Sequence, residues 1–172
     1  VRTNIAGEFQ KSNLAAALQT AELLCGRLDE DKIYEALSQI RISGRMEEIA
    51  PGIIVDVSHN IQGMQGFVQT VEANYHGMKK RILFAASHQN EEEYMKSIHD
   101  PELPIQQTIP EIEAFYTVGI HKRRIDEAEF QDAFRKMIDR NQETTVCFVV
   151  GSFYLAGMAK EFINQEEENV RL

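Results

Sequence analysis

Acidic, imidazole and hydroxyl side chains gather directly after one apolar segment of the sequence. Residues 53–57 form an apolar run that contains a single carboxylate, Asp56, and Ser58, His59 and Asn60 follow it. A carboxylate at the end of an apolar strand is partly desolvated and needs hydrogen-bond donors. Sugar hydroxyls could supply these donors, and so could N–H groups of the following loop. The pattern therefore indicates either a binding site at Asp56 and His59 or a self-contained loop.

A second group of small and polar residues follows the last apolar segment. Gly151 and Ser152 come after residues 144–150. Glycine suits a tight strand-to-helix turn, and serine or asparagine at such a position can cap the next helix. For Ser58, Asn60 and Ser152 the capping interpretation therefore stays open beside the functional one.

The elements that must position these residues alternate in type. Apolar segments at 53–57, 81–86, 113–118 and 144–150 read as strands, and amphipathic helical patterns separate them. This order predicts an α/β fold with a mostly parallel sheet covered by helices on both faces. Ligands of such sheets bind beyond the carboxyl ends of the strands. The candidates there are Asp56, Ser58, His59, Asn60, Ser87, His88, Gly119, His121, Arg123, Arg124, Gly151 and Ser152.

Local signals place several boundaries. Two helices should open the chain, the first capped by Ser12 and ended by Gly26. A short strand at 46–49 should enter a type II turn at Pro51-Gly52. Capping boxes predict helix starts after Asn90, with Glu93, and after Asp126, with Glu129. Residues 165–172 are acidic and are expected to fray.

Composition narrows the function classes. The chain has 172 residues, 43% of them apolar, which suits one cored domain with an appendage. A net charge of -9 argues against non-specific nucleic-acid binding, and no apolar run is long enough to span a bilayer. Cys25 and Cys147 are expected to be buried apolar thiols, as is common in the cytoplasm. A start at Val1 rather than Met suggests an excised fragment.

Four segments resemble folylpolyglutamate synthase, a member of the Mur ligase superfamily. The sequence GRME at 44–47 resembles that family's Gly-Arg-hydrophobic-Glu junction into its C-terminal domain. The sequence DVSHN at 56–60 resembles its Asp-Gly-Ala-His-Asn strand end, and GSFYL at 151–155 resembles Gly-Ser-Leu-Tyr-Leu. Residues 6–17 resemble the segment that closes its ATP-binding domain. The resemblance spans nearly the whole chain, in the family's order.

The resemblance implies a Rossmann-like Mur ligase C-terminal domain at 43–172. Residues 1–42 would be the helical end of the preceding ATP-binding domain. In the family, ATP phosphorylates a folate carboxylate, and the amine of glutamate attacks the acyl phosphate; some members act on dihydropteroate. The resemblance places Arg45, Asp56, His59 and Asn60 at the nucleotide, with Asp56 accepting from ribose hydroxyls. It places His59 and Ser152 at the reaction centre, with Ser152 near the glutamate.

The remaining parts of such an enzyme would lie outside this sequence. It contains no G-x-x-x-x-G-K-[ST] loop, so the resemblance assigns the P-loop and the Mg²⁺ ligands to an N-terminal domain. Two or three polar contacts supply little of the roughly -8 kcal/mol that micromolar affinity needs. We therefore expect the fragment alone to bind ATP weakly or not at all and to lack ligase turnover.

Two other functions remain open on the sequence. The family usually has Asp-Lys-Asp after the second strand, whereas this chain has His88-Gln89-Asn90. That departure favours a non-catalytic nucleotide-binding or protein-interaction module. A zinc hydrolase would need His59, His88 and His121 to converge with Asp56, and no local ligand spacing supports this.

Overall fold

The computed structural model describes residues 8–85, 109–121, 124–138 and 145–171. Their main sheet has five strands, which are β1 (Glu47–Ala50), β2 (Ile53–Asp56), β3 (Lys79–Phe84), β4 (Ile112–Thr117) and β7 (Thr145–Val150). Across the sheet the strands lie in the order β1-β2-β7-β3-β4. Within it only β1 runs antiparallel to its neighbour. The predicted α/β fold with a mostly parallel sheet is confirmed.

Helices cover both faces of this sheet. In β7, Phe148 faces one side and Val149 the other, as the alternation of side chains along a strand requires. The helix α3 packs on the face of Phe148, and α4 and α5 pack on the face of Val149. Their bounds are α3 (Ile61–Asn74), α4 (Glu127–Met137) and α5 (Phe153–Arg171).

The chain opens with two further helices, α1 (Glu8–Cys25) and α2 (Glu30–Gln39). Gly26 ends α1 with a φ of 78°, as expected. Two predictions here are wrong. Ser12 lies inside α1 rather than at its cap, and Cys25 is exposed rather than buried. The exposure of Leu23 (88%) and Leu24 (80%) shows that this end of α1 has no core to pack against within the described residues.

The turn and cap signals in the rest of the chain mostly hold. Gly52 has a φ of 74° between β1 and β2, as a type II turn requires. Asp126 caps α4 and accepts the N–H of Glu129 at 2.9 Å. The predicted cap at Asn90 lies outside the described residues. The expected fraying after residue 164 is wrong, because α5 continues to Arg171.

A small hairpin follows β4 where only a loop was expected. Its strands, β5 (Ile120–His121) and β6 (Arg124–Ile125), pair antiparallel. Ile120 and Ile125 join the core on the α4 side of the main sheet. The hairpin therefore packs as part of the domain. None of the helices in the described segments combines the length and apolar character that crossing a bilayer requires.

The amino end of the sheet is held by a buried lysine. Lys80 is 0% exposed, and its Nζ donates to Met78 O at 2.7 Å and to Pro110 O at 3.1 Å. It also pairs with the carboxylate of Glu111 at 3.1 Å. Three acceptors offset the cost of burying an ammonium group. Lys80 therefore ties β3 to the segment that leads into β4, at the opposite end of the sheet from Asp56.

Candidate functional site at the carboxyl edge of the sheet

Three strands end side by side at this edge. Val150 pairs with Asp56 on one side and with Phe84 on the other. The backbone continues the alignment past the strands, since Gly151 N–H donates to Asp56 O and Ala85 N–H donates to Val150 O. The sheet register thus brings the polar groups after β2 and β7 to one edge, as the sequence predicted.

Gly151 makes the close approach at this edge possible. Its φ is 110°, which side chains larger than hydrogen rarely allow. A Cβ there would clash with the backbone oxygen of Ala85 and lie 2.8 Å from the ring of Phe84. The glycine is therefore a packing requirement between β7 and β3.

Asp56 is buried and its carboxylate is shared between two segments. It is 1% exposed, and its Oδ1 accepts the N–H of Ser58 at 2.8 Å. Its Oδ2 accepts the N–H of Met46 at 3.0 Å. The Arg45 guanidinium lies 4.0 Å from Oδ1. The donors that a desolvated carboxylate needs are thus supplied by the backbone of this chain.

Met46 belongs to a strained segment, residues 43–47, which leads into β1 beside the end of β2 and includes Glu47, the first residue of β1. Gly44 has a φ of 72°, and Met46, a non-glycine residue, has a φ of 45°. Left-handed backbone at Met46 costs energy unless the surroundings hold it. Two hydrogen bonds to the region of β2 hold this backbone in place. Met46 N–H donates to Asp56, and Gly44 O accepts Val57 N–H at 2.8 Å. We call residues 43–47 the junction loop.

Arg45, at the apex of the junction loop, is the cation of the site. Its Nη1 donates weakly to Ser58 Oγ at 3.4 Å, and its side chain keeps 28% of its exposure. A guanidinium with five N–H donors has further capacity beyond these contacts. Arg45 is thus placed to bind an anion at the edge while Asp56 and Ser58 fix its position.

His59 lies at the same edge with one ring nitrogen engaged. Its Nδ1 lies 2.9 Å from Val57 O, and because a carbonyl can only accept, the proton must be on Nδ1. In this tautomer, Nε2 is the nitrogen that can accept a hydrogen bond. The ring of Phe153 sits against it, with centroids 5.8 Å apart. Phe153 and Tyr154 are large exposed aromatic residues at the start of α5.

Asn60 and Ser152 serve as helix caps. Asn60 Oδ1 accepts Gly63 N–H at 2.8 Å at the start of α3. Ser152 is buried, and its Oγ accepts Tyr154 N–H at 3.1 Å at the start of α5. The capping interpretation of both residues is thus confirmed. In these caps both residues act as acceptors, so the cap itself does not use the Asn60 amide N–H groups or the Ser152 hydroxyl hydrogen.

Sequence patterns gave no sign of the ion pair that supports this edge. Lys160 Nζ, from α5, donates to Glu47 Oε2 at 2.6 Å and to Ser43 Oγ at 2.7 Å. Burial alone would raise the pKa of Glu47, but hydrogen bonds from Lys160, Gly44 N–H and Ser43 together hold it below its ordinary value. The partners are more than 110 residues apart in the chain, so no local spacing could reveal them.

Several predicted candidates cannot be placed. Ser87, His88 and Arg123 lie outside the described residues, and the hypothesis of a zinc site depends on His88. Within the described part of the chain, no three His, Cys, Asp or Glu side chains come together to hold a metal ion. Cys147, on β7, is buried as predicted, and burial raises its pKa from 9.0 to about 11. It is therefore protonated at neutral pH.

Comparison with solved structures finds the same fold in folylpolyglutamate synthases and in a peptide ligase. Folylpolyglutamate synthase from Thermotoga maritima matches 94% of this chain with a TM-score of 0.65 and 20% identity. A pseudomurein peptide ligase type C from Methanothermus fervidus matches 96% with a TM-score of 0.67 and 19% identity. A folylpolyglutamate synthase in complex with AMPPCP and folate matches 94% with a TM-score of 0.68 and 18% identity.

The comparisons establish the fold and its relation to part of a larger enzyme. This chain covers 40%, 37% and 38% of those three chains, respectively. No family model matches the sequence. No curated protein matches it either. The resemblance noted in the sequence is therefore confirmed at the level of the fold, which this chain shares with a region of folylpolyglutamate synthases and of a pseudomurein peptide ligase.

Proposed function

We propose that this chain is the C-terminal domain of an ATP-dependent ligase that joins an amino acid to a carboxylate through an acyl phosphate, with folate and glutamate as the substrates. The observation that carries the proposal is Arg45, a partly exposed guanidinium fixed beside Ser58 at the carboxyl edge of the sheet. Ligands of open α/β sheets bind at that edge. A folylpolyglutamate synthase of the same fold is known with AMPPCP and folate.

The residues at the edge fit a nucleotide in chemistry. Arg45 would contact a phosphate, which matches a guanidinium in charge and geometry. His59 presents Nε2 and an imidazole face beside Phe153, which suits the polar and aromatic parts of a nucleoside. The Asn60 amide, exposed at the start of α3, would donate to the same ligand. ATP and its Mg²⁺ would meet most of their ligands on a preceding P-loop domain.

The main role of Asp56 would be to position the neighbouring loops rather than to bind the ligand directly. Its two oxygens already accept the N–H groups of Met46 and Ser58. A carboxylate oxygen can accept more than one hydrogen bond, so a contact with a ribose hydroxyl stays a prediction. The role that its contacts support directly is to hold the junction loop and the start of the 58–60 loop in register.

The reaction role of this domain would be closure. Arg45, His59 and Ser152 would approach the acyl phosphate only when both domains grip the substrates, which also excludes water. A contact between Ser152 and the incoming glutamate stays a prediction, because its side chain is buried and its Oγ already caps α5. Residues 1–42 would then belong to the preceding domain, and 43–172 would move as the closing unit. The cytoplasmic location predicted from the two cysteines stays a prediction.

One observation favours a second candidate function, a non-catalytic nucleotide-binding or interaction module. Asn60 and Ser152 are both explained as helix caps, so neither requires a substrate. The coding sequence upstream of Val1 separates the two functions. An in-frame P-loop supports the ligase, and a start codon directly before Val1 supports the module.

Ligase activity of the complete protein tests the proposal. ADP release should depend on folate and glutamate. Arg45→Met should lower kcat/KM by about 10- to 100-fold, the effect of losing one charged hydrogen bond, and His59→Ala by about 3- to 10-fold, the effect of losing a neutral one. Lys136→Met, which removes an exposed ion pair on α4, is the matched control. Full activity in both site variants would refute the assignment.

A further inference from the structure

We propose that Lys160 is a positioning residue that clamps the junction loop and thereby places Arg45 at the nucleotide site. The inference rests on the proposed function for what Arg45 binds, but the clamp itself rests on contacts alone. Lys160 reaches from the middle of α5 to both ends of the loop, to Ser43 at 2.7 Å and to Glu47 at 2.6 Å. The ammonium group of Lys160 therefore bonds to both the first and the last residue of the loop.

The loop needs an external clamp because its backbone is strained. Gly44 has a φ of 72°, which glycine adopts readily, but Met46, which carries a side chain, has a φ of 45°. At a non-glycine residue this conformation persists only where surrounding contacts over-determine it. Glu47 contributes to this by accepting Gly44 N–H as well as Lys160 Nζ. The Glu47 carboxylate, at the end of the loop, thus connects the loop to Gly44 near its start and to Lys160 of α5.

The junction loop is also fixed to two parts of the site, the end of β2 and the helix α5. Gly44 O accepts Val57 N–H, and Met46 N–H donates to Asp56, so the loop is fixed against the end of β2. Through Lys160 the same loop is fixed against α5, which begins directly after Ser152. Arg45 lies between these two attachments. Its guanidinium can hold a defined position only while both remain.

The contact is more than an ordinary surface ion pair. Exposed pairs contribute little because two long side chains lose freedom to meet in water. Here both side chains are about two-thirds buried, with 30% exposure for Lys160 and 33% for Glu47, and a third partner, Ser43, shares the ammonium. Networks of several groups in fixed geometry are the case in which such pairs matter.

Hydrogen exchange of backbone amides in this chain tests the clamp without any nucleotide. Lys160→Met should accelerate exchange at Gly44, Met46 and Val57 by about 3- to 10-fold, in line with the loss of a partly buried ion pair. Glu47→Gln should give a similar pattern, and the double variant should add little, because both changes remove the same contact. Lys136→Met should leave all three amides unchanged, since it removes an equally short ion pair elsewhere.

The amide of Lys80 reports on the opposite end of the sheet, where it donates to Glu111 O. Acceleration confined to the junction loop supports the clamp. Unchanged loop exchange in Lys160→Met, or equal acceleration at Lys80, overturns it. A second experiment adds Mg-AMPPCP to the unmodified chain and to Lys160→Met and follows the change in the amide chemical shift of Arg45. A loosened loop with unchanged nucleotide shifts would overturn the link to the nucleotide site while leaving the clamp intact. Nucleotide shifts that centre away from Arg45 in the unmodified chain would instead count against the proposed function.

Discussion

At the scale of single residues, Asp56 joins segments that are separate in the sequence. Its carboxylate accepts from Ser58, two residues ahead, and from Met46, ten residues behind. The sequence predicted that a desolvated carboxylate needed donors and allowed the following loop as one source. It could not predict the contribution of Met46, because that contact depends on the path of the junction loop beside β2.

Replacement of Asp56 by Asn should destabilise the domain by about 2 kcal/mol, because an amide NH₂ group would replace one acceptor oxygen and face a backbone N–H. Urea unfolding of the two proteins measures the difference. Asp132→Asn, on the exposed face of α4, is the control and should stay within about 0.5 kcal/mol of the original chain. Equal stability of Asp56→Asn and the original would show that the backbone bonds to this carboxylate contribute little.

Lys80 and Cys25 show where residue-level patterns fail. Lysine is rarely fully buried, yet Lys80 is, because its ammonium donates to the carbonyls of Met78 and Pro110 and to the carboxylate of Glu111. Cys25 fits the apolar stripe of α1 but is exposed, because nothing in the described residues covers that end of the helix. Both outcomes depend on which distant segment packs against the residue.

At the scale of elements, periodicity and turn chemistry predicted most of the fold. Alternating apolar strands and amphipathic helices gave the strands near their observed bounds, and Gly52 and Asp126 set their turn and cap as expected. Strand order was not predictable. The last strand, β7, inserts between β2 and β3, and this follows from how the helices pack on the two faces rather than from any local pattern.

The turn from β7 into α5 should tolerate no side chain at Gly151. Gly151→Ala should cost about 2 kcal/mol or more, because its positive φ and the close backbone of Ala85 both oppose a Cβ. Gly157→Ala is the matched control, since nothing lies within 4 Å of a Cβ there and alanine favours the helix. It should stabilise α5 by about 0.5–1 kcal/mol.

Thermal unfolding of both glycine variants measures this contrast. A lower Tm for Gly151→Ala and an unchanged or higher Tm for Gly157→Ala are expected. If alanine is harmless at both positions, the approach of β7 to β3 at this turn is looser than the contacts indicate. The junction between strand and helix would then not fix the position of Ser152.

At the scale of the whole molecule, the candidate site lies at the carboxyl edge of the main sheet, and a buried structural lysine lies at the amino edge. The carboxyl edge carries Arg45, His59 and exposed aromatic residues at the start of α5, whereas Lys80 ties the amino edge together. The position of His59 and Ser152 at this edge was predictable, because the rule for sheet edges needs only the strand assignments, whereas Arg45 was named by the family resemblance alone. The support from Lys160 was not, because it depends on the tertiary position of α5.

This distribution of groups explains why the chain should be a weak binder by itself. Its edge offers one guanidinium, one imidazole and a few amides, which together supply only part of the free energy of nucleotide binding. A millimolar dissociation constant corresponds to about -4 kcal/mol, which a few such contacts can reach. The rest would come from a second domain.

Nuclear magnetic resonance titration of this 172-residue chain with Mg-AMPPCP tests the central claim most directly. The account predicts binding no tighter than about millimolar, with amide shifts concentrated at Arg45, His59, Asn60 and Ser152 and reduced by Arg45→Met but not by Lys136→Met. Shifts that centre on Lys80 at the amino edge, or low-micromolar binding, would contradict it.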